Sequence, residues 1–392
     1  MRRFAFPLLA YAFAAVMTGT TMPTPMYAHY AAQLGFGVVT TTVVYATYAG
    51  GVLVALLLFG RWSDAVGRRP LLLGGLAAAL ISGAVFLAAD SVTLLLIGRF
   101  FSGLSAGVFT GTATAAVIEA APAPWRSRAA AVATVANIGG LGLGPVLAGL
   151  LVQYAPQPLR LSFVVHIAMV VLAAAAVITA PETSPRAGRL ALQRLSVPPE
   201  VRSVFVVAGI AAFAGFAVTG LYAAVAPSFV VEVVGTANQA VAGATAGSIF
   251  AASAVAQVLA NRMDPRRALV VGCAVLVAGM AVLAVALQTS SLPGLIAAAV
   301  TAGAGQGIGF SRGLAAIAAR TPAERRAEVN STYFVIGYIA ISLPIVGFGL
   351  AAEVWGLRAA GVSFAVGVAL LAAVCLAAVL VQTRSRRSAA AV

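Results

Sequence analysis

The sequence predicts an all-α integral membrane fold, with 12 transmembrane helices arranged as two pseudo-symmetric six-helix bundles. Three observations predict it. Apolar residues make up 61% of the 392-residue chain and charged residues only 9%, too few charges to coat a water-soluble globule. Breaking the chain at polar, charged and Pro-rich clusters leaves 12 mostly apolar runs near the ~20 residues that cross roughly 30 Å of hydrocarbon. Finally, all 24 basic residues are arginine, and they are sorted by loop.

Taken in order, the first half gives runs from Phe6 to Tyr27, Val39 to Gly60, Leu71 to Ala89, Thr93 to Glu119, Ala129 to Val152 and Leu161 to Ala180. The start, Arg2-Arg3 and an apolar stretch to Met22, has the outline of a signal peptide, but the stretch is long and no small-residue cleavage site follows. It is read as a retained first helix. The second half gives Ser203 to Phe229, Ala240 to Ala260, Ala268 to Leu287, Leu292 to Arg320, Val329 to Ala352 and Arg358 to Val381.

The N-terminal tail and the even-numbered loops hold Arg2, Arg3, Arg61, Arg68, Arg69, Arg126, Arg128, Arg186, Arg189, Arg194, Arg202, Arg262, Arg266, Arg267, Arg320, Arg325 and Arg326. The C-terminal tail adds Arg384, Arg386 and Arg387, whereas the odd loops hold only Arg160 and Arg358. This asymmetry puts both termini in the cytoplasm and requires an even number of spans. It also accounts for the +14 net charge without a nucleic-acid surface, because the arginines are dispersed over short loops rather than gathered on one face. Arg99 and Arg312 alone lie within helices. Cys273 and Cys375 sit in apolar runs with no metal-ligand spacing nearby, and are read as packing residues. No cofactor or metal is expected.

A polar, Pro-rich connection divides the chain into an N-terminal bundle at 1–180, a central loop at 181–202 and a C-terminal bundle at 203–392. Shifting the sequence by 200 residues superposes Asp64 on Asp264, Gly103 on Gly303, Gly107 on Gly307, Pro122 on Pro322, Arg126 on Arg326 and Gly149 on Gly349. Parallel repeats about an axis along the membrane normal are one way transporters are built.

Three segments carry more specific signals. After the second run comes Gly60-Arg61-Trp62-Ser63-Asp64-Ala65-Val66-Gly67-Arg68-Arg69-Pro70. Glycine suits a sharp turn between helices, and an Asp at a helix end can face the positive end of a neighbour. The fourth run opens with Gly98-Arg99 and continues with Gly103, Gly107 and Gly111 at four-residue spacing; the tenth repeats the idea with Gly303, Gly307 and Ser311. Glycines four apart let another helix backbone approach. A mid-membrane arginine costs roughly 2.5–3.5 kcal/mol, so Arg99 either faces protein or a wet cavity or snorkels to the outer surface. Arg312 lies eight residues before Arg320, about 12 Å at ~1.5 Å per residue, and is read as a cavity residue. In the fifth run Pro145 should bend the helix while Gly140, Gly144 and Gly149 allow close contact across the bend.

The loop from Gly60 to Pro70 resembles the signature loop of the major facilitator superfamily: a Gly, an Asp four residues on, a Gly three later, then two basic residues. In that family the acidic and basic groups form a cytoplasmic latch between the halves. The resemblance implies that Asp64 is the acceptor and that Arg68 or Arg69 pairs with Glu119. The echo from Asn261 to Arg267 is shorter. The fourth run is similar to the Arg-and-Gly helix of the family's drug and proton antiporters, which implies proton transfer or substrate contact for Arg99. The Gly-Pro helix resembles the family's antiporter motif, associated with exporters, although a packed kink would look the same.

By that resemblance the chain is a secondary transporter, expected to export small apolar or amphipathic compounds, drugs or metabolites, by proton-coupled alternating access as a monomer in the bacterial cytoplasmic membrane. Asn137, Tyr222, Gln306, Tyr333 and Tyr338 are the lining candidates. Against coupling stands the absence of any mid-depth carboxylate. The first run offers Thr18, Thr20, Thr21, Pro23, Thr24 and Pro25 instead, while Glu119, Glu232 and Glu353 lie at ends, His29 falls in the first outer loop and His166 on the sixth run. His166 is read as a satisfied or lipid-interface residue. A facilitator or importer of one metabolite is the alternative. A membrane enzyme or sensor is remote, since the sequence has no HExxH, GxSxG or phosphate-binding loop.

Overall fold

The computed structural model describes residues 4–187 and 190–389, with side chains as far as Val381. Arg2, Arg3 and Arg189 therefore lie outside the described residues, as do the side chains of Arg384, Arg386 and Arg387. Every regular element among the described residues is helical.

Among the described residues, twelve helices are long and apolar enough to cross a membrane: Ala5–Leu34, Val38–Phe59, Arg68–Leu87, Val92–Glu119, Ala123–Tyr154, Leu161–Thr179, Pro199–Val233, Gln239–Arg262, Pro265–Gln288, Leu292–Arg320, Ala323–Trp355 and Leu357–Val381. They are called the first to twelfth spans below. The first runs seven residues past its expected end. Pro23 and Pro25 remove backbone donors and break the helix after Thr21, but the chain resumes as Tyr27–Leu34 and stops at Gly35, whose φ of 70° is left-handed. His29 is consequently helical and half-buried, not in a loop.

Two compact units partition the chain. The first comprises Met1–Arg194 together with Ala223–Val231 and Thr236–Gly247, and the second comprises Leu195–Tyr222, Glu232–Gly235 and Ser248–Val392. The facing ends of the seventh and eighth spans thus pack with the first unit.

Within the first unit, small residues set the helix spacing. Gly103 and Gly107 of the fourth span press against the second span at Tyr48, Gly51, Val52 and Ala55, so closely that a Cβ on Gly103 would fall on the Tyr48 carbonyl oxygen. The third span meets the fourth at Gly75 and Phe109, and Ser82 Oγ donates to the Gly98 carbonyl at 2.8 Å. Gly111, expected on the same close face, has open space where its Cβ would lie. The stripe of close contacts is therefore two glycines long.

The second unit repeats the device. Gly303 of the tenth span presses on Ile249 and Gly307 on Ser253 of the eighth. Contacts related by 200 residues in one helix and 201 in the other therefore recur in both units, which ties the sequence repeat to packing. The ninth span fits against the tenth through Gly272, Gly279 and Gly305. Cys273 and Cys375 are buried in an apolar cluster with Ala211, Leu269 and Val379.

Candidate functional site

Gly60 ends the second span, and Gly67, at φ 112°, makes a turn that other residues resist before the third span begins. Between them the short helix Trp62–Val66 carries Asp64. The Arg68 guanidinium joins three groups: Asp64 Oδ1 at 2.6 Å, Glu119 Oε1 at 3.0 Å and Ser63 Oγ at 2.5 Å. Thr183 Oγ1 donates to the other Glu119 oxygen at 2.6 Å. Arg68 rather than Arg69 is thus the partner of Glu119, and Arg69 contributes its backbone N–H. Asp64, Arg68, Glu119 and Thr183 all belong to the first unit.

The positive end of the third span is occupied by a residue that sequence reasoning did not single out. Glu182, just past the sixth span, accepts from the backbone N–H groups of Arg68 at 2.8 Å and Arg69 at 3.2 Å. The central loop is tied down a second time where Gln193 N donates to the Leu57 carbonyl at 2.9 Å, beside Gly60. In the second unit the equivalent cap is made locally, by Asp264 accepting from Arg266 N at 3.1 Å and Arg267 N at 3.0 Å. The only sequence signal for Glu182 was an acidic residue after a helix end.

Burial works to raise the Glu182 carboxyl, but the amides of Ser184, Arg68, Arg69 and Thr183 outweigh it and hold the group below the usual carboxylate range. A carboxylate depressed in the folded state adds stability above its unfolded value of about 4.3, and that stability is lost as pH falls through the folded value. Glu182→Gln should therefore cost about 0.5–2 kcal/mol at neutral pH, the range for a helix cap. It should also flatten the acid limb of a thermal-stability profile below about pH 4.3. A variant with the wild-type acid limb would assign that limb to other carboxylates.

Arg99 is 1% exposed and is the largest fully buried side chain described. It does not snorkel. Its Nη1 donates to the Thr20 carbonyl at 2.5 Å, one of those left without an intrahelical donor where the first span breaks. Its guanidinium carbon lies 4.8 Å from the Tyr48 ring centre and 5.5 Å from that of Tyr45. A cation at a helix C-terminus and over aromatic faces is favourably placed. Arg99 Nε and the hydroxyls of Tyr27 and Tyr30 are buried without hydrogen-bond partners.

Next to it the fifth span is built onto the first. Gly140 lies against Ala14 and Met17, and Gly144 against Thr18, Thr21 and Met22. Gly149 meets Gln239 and Gly243, while Gly243 in turn lies on the Pro145 carbonyl. A wider-wound segment, Val135–Gly139, precedes the bend and holds Asn137, which is half-buried.

The remaining candidates separate by burial. Tyr222 is 1% exposed, with its hydroxyl donating to the Leu295 carbonyl at 2.9 Å. Tyr333 is fully buried, stacked on Phe310 with ring centres 5.4 Å apart, and its hydroxyl reaches the Ala208 carbonyl at 3.3 Å. Gln306 Oε1 accepts from Ser253 Oγ at 2.6 Å. All three are buried positions. Arg312 is half-buried, and its Nη1 donates to the Asn261 carbonyl at 2.9 Å, at the end of the eighth span. This is a contact to the end of the neighbouring helix. Tyr338 is half-buried on the eleventh span. His166 is 5% exposed and packs against Gly19, inside the bundle rather than at lipid.

Two units of close-packed apolar spans, with repeated glycine contacts in each and a buried arginine in the first, are what a polytopic transporter requires. The chain belongs to the Major Facilitator Superfamily, whose sequence profile matches residues 9–344. It is a multi-pass membrane transporter and not an enzyme. Among curated relatives, the tetracycline resistance protein, class E, of Escherichia coli is 32% identical over 115 residues, 29% of this chain and 28% of that protein. An uncharacterised MFS-type transporter of Mycobacterium tuberculosis is 28% identical over 153 residues, 39% of this chain and 22% of its own. The multidrug resistance protein MdtL of Shigella flexneri is 34% identical over 77 residues, 20% of each chain. Each match thus spans little more than a quarter of the relative's length, or less. The fold extends over the whole chain: a bacterial homologue of the human lysosomal transporter Spinster superposes with TM-score 0.71 at 16% identity, covering 96% of this chain and 97% of that one. The human organic anion transporter MFSD10 gives TM-score 0.67 at 17% identity, covering 96% and 99%.

Proposed function

We propose that this transporter exports small apolar or amphipathic compounds, drugs or metabolites, by proton-coupled alternating access. It acts as a monomer in the bacterial cytoplasmic membrane, with its arginine-rich loops and both termini in the cytoplasm. The observation that carries the reading is the fifth span: Pro145 lies inside the helix, where it removes a backbone donor, while Gly140 and Gly144 seat it on the first span and Gly149 on Gln239 and Gly243. That packing supports the resemblance of the fifth span to the family's antiporter motif. The partial matches to a tetracycline resistance protein and to MdtL support the same direction. Arg99 is the coupling candidate at the centre of the first unit, and Arg312 the corresponding candidate in the second. Asn137, Tyr222, Gln306, Tyr333 and Tyr338 are the lining candidates, of which Asn137 and Tyr338 are half-buried while Tyr222, Tyr333 and Gln306 are buried. The network of Asp64, Arg68 and Glu119 lies within the first unit and orders the loop that would form the latch, with Glu182 capping the start of the third span.

One observation favours a facilitator or importer of a single metabolite: all 10 acidic residues lie in loops or at span ends. The purified protein in liposomes under an imposed proton gradient distinguishes the two. Gradient-dependent flux of several chemically unrelated dyes and drugs is expected. Exchange of one metabolite at a rate independent of pH, with no movement of the panel, would replace export by facilitation.

A further inference from the structure

The threonine-rich end of the first span has an unexplained regularity. Among the described helices, two carry a proline in their interior, Pro145 in the fifth span and Pro227 in the seventh. Proline has no N–H, so the carbonyl four residues earlier loses its helical donor. Those carbonyls belong to Leu141 and Ala223. In hydrocarbon no water replaces the missing donor, and an orphaned carbonyl has to find one in the protein. Both find it in the first span: Thr21 Oγ1 donates to the Leu141 carbonyl at 2.7 Å, and Thr24 Oγ1 to the Ala223 carbonyl at 2.8 Å. Thr21 and Thr24 flank Pro23, at the point where the first span itself breaks, and both are buried. Immediately before them, the Thr20 carbonyl is taken by Arg99.

We propose that Thr21 and Thr24 are positioning residues of the transport path, each supplying the donor that a proline removes. The bends of the fifth and seventh spans are thereby fixed to the break of the first. A hydroxyl is suited to this because it forms one strong bond and can leave it without an ionic penalty. Thr24 is the more consequential of the two. Ala223–Val231 packs with the first unit although the preceding residues, Leu195–Tyr222, pack with the second, so the Thr24 bond holds the segment at which the seventh span changes partners. When that segment moves during the cycle, this bond is the one to break and remake.

Restoring the missing N–H tests the idea. In Thr24→Val the Ala223 carbonyl has no donor, whereas Pro227→Ala gives it back one from its own helix, so the second change should repair the first. Thr24→Val is expected to lower the melting temperature of the full-length protein in detergent by about 2–4 °C, with a severalfold loss of flux. Thr24→Ser should behave as wild type. Thr24→Val/Pro227→Ala should recover the melting temperature, while flux stays low because the bend is gone. If Thr24→Val does not accumulate in the membrane, recovery of its yield by Pro227→Ala is the supporting result. An undisturbed Thr24→Val, or a double variant no better than Thr24→Val, overturns the proposal. Only the flux arm rests on the transport reading. Unchanged melting behaviour would count against the hydrogen bonds themselves, whereas absent flux in the wild-type protein would count against the assigned substrates.

Discussion

Replacing Arg99 with leucine is expected to leave the protein folded and to stop transport. The energetic terms nearly balance. Placing a cation within the membrane costs roughly 2.5–3.5 kcal/mol. Arg99 recovers part of this through its hydrogen bond to the Thr20 carbonyl, of the order of 1.5–3 kcal/mol for a charged donor, and through the Tyr45 and Tyr48 ring faces, about 0.5–2 kcal/mol. Its Nε finds no partner and gives some of that back. Leucine removes the cost and the returns together, so the net change in stability should stay within about 1–2 kcal/mol. With the fold nearly indifferent to the charge, the proposed coupling role of Arg99 can be read from flux alone. Flux in proteoliposomes should therefore fall at least tenfold, ~1.4 kcal/mol or more in the rate-limiting barrier, while the melting temperature moves by a few degrees. Arg99→Lys keeps the charge but loses the planar fork that reaches the Thr20 carbonyl while lying over the rings, and should be intermediate. Wild-type flux in Arg99→Leu would reduce the residue to a helix cap. Loss of the folded protein would make it structural.

Such a test could be framed from the sequence only in part. The number of spans and their approximate ends followed from hydropathy, because a bilayer imposes one length on every run. The first run is expected to end at Tyr27, whereas the chain breaks at Pro23 and Pro25 and then resumes as a helix from Tyr27 to Leu34. The acidic and basic members of the signature loop were legible as residues. The capping role of Glu182 was not, because its acceptor bond to the Arg68 amide joins positions 114 residues apart. The threonine bonds, across 120 and 199 residues, were equally out of reach of local pattern. Their signal existed in a different form: a cluster of hydroxyls in one apolar helix and a proline inside each of two others require one another in a solvent without water. The lining candidates were chosen for being polar or aromatic within a span. That criterion cannot separate Tyr333, buried and bonded to a carbonyl, from a half-buried residue such as Asn137.

Glycine spacing offers the sharpest contrast between what sequence and structure can say, and it sets the second large effect. Gly103, Gly107 and Gly111 are indistinguishable by spacing, yet Gly103→Ala and Gly111→Ala are expected to have opposite signs. At Gly103 the added methyl would meet the Tyr48 carbonyl oxygen and the Gly51 Cα, which are backbone atoms and cannot rotate aside. The second and fourth spans would have to separate, at the roughly 1–3 kcal/mol typical of an overpacked core. Alanine's better helix propensity returns at most about 1 kcal/mol, so packing wins. At Gly111 nothing lies within 4 Å of the new methyl, and propensity alone remains, for a gain of up to about 1 kcal/mol. The second unit should follow suit, with Gly303→Ala damaging because its methyl would meet the Ile249 carbonyl and Gly309→Ala tolerated because the space is open. Gly103→Leu, which drives a larger group into the same backbone, should abolish the folded protein. Melting curves of the four alanine variants in detergent suffice to check this. Equal damage at Gly103 and Gly111 would mean that the fourth span needs glycine for flexibility along its length rather than for close approach at two points. The repeat of contacts between the two units would then reflect shared composition, and not a shared requirement for helix spacing.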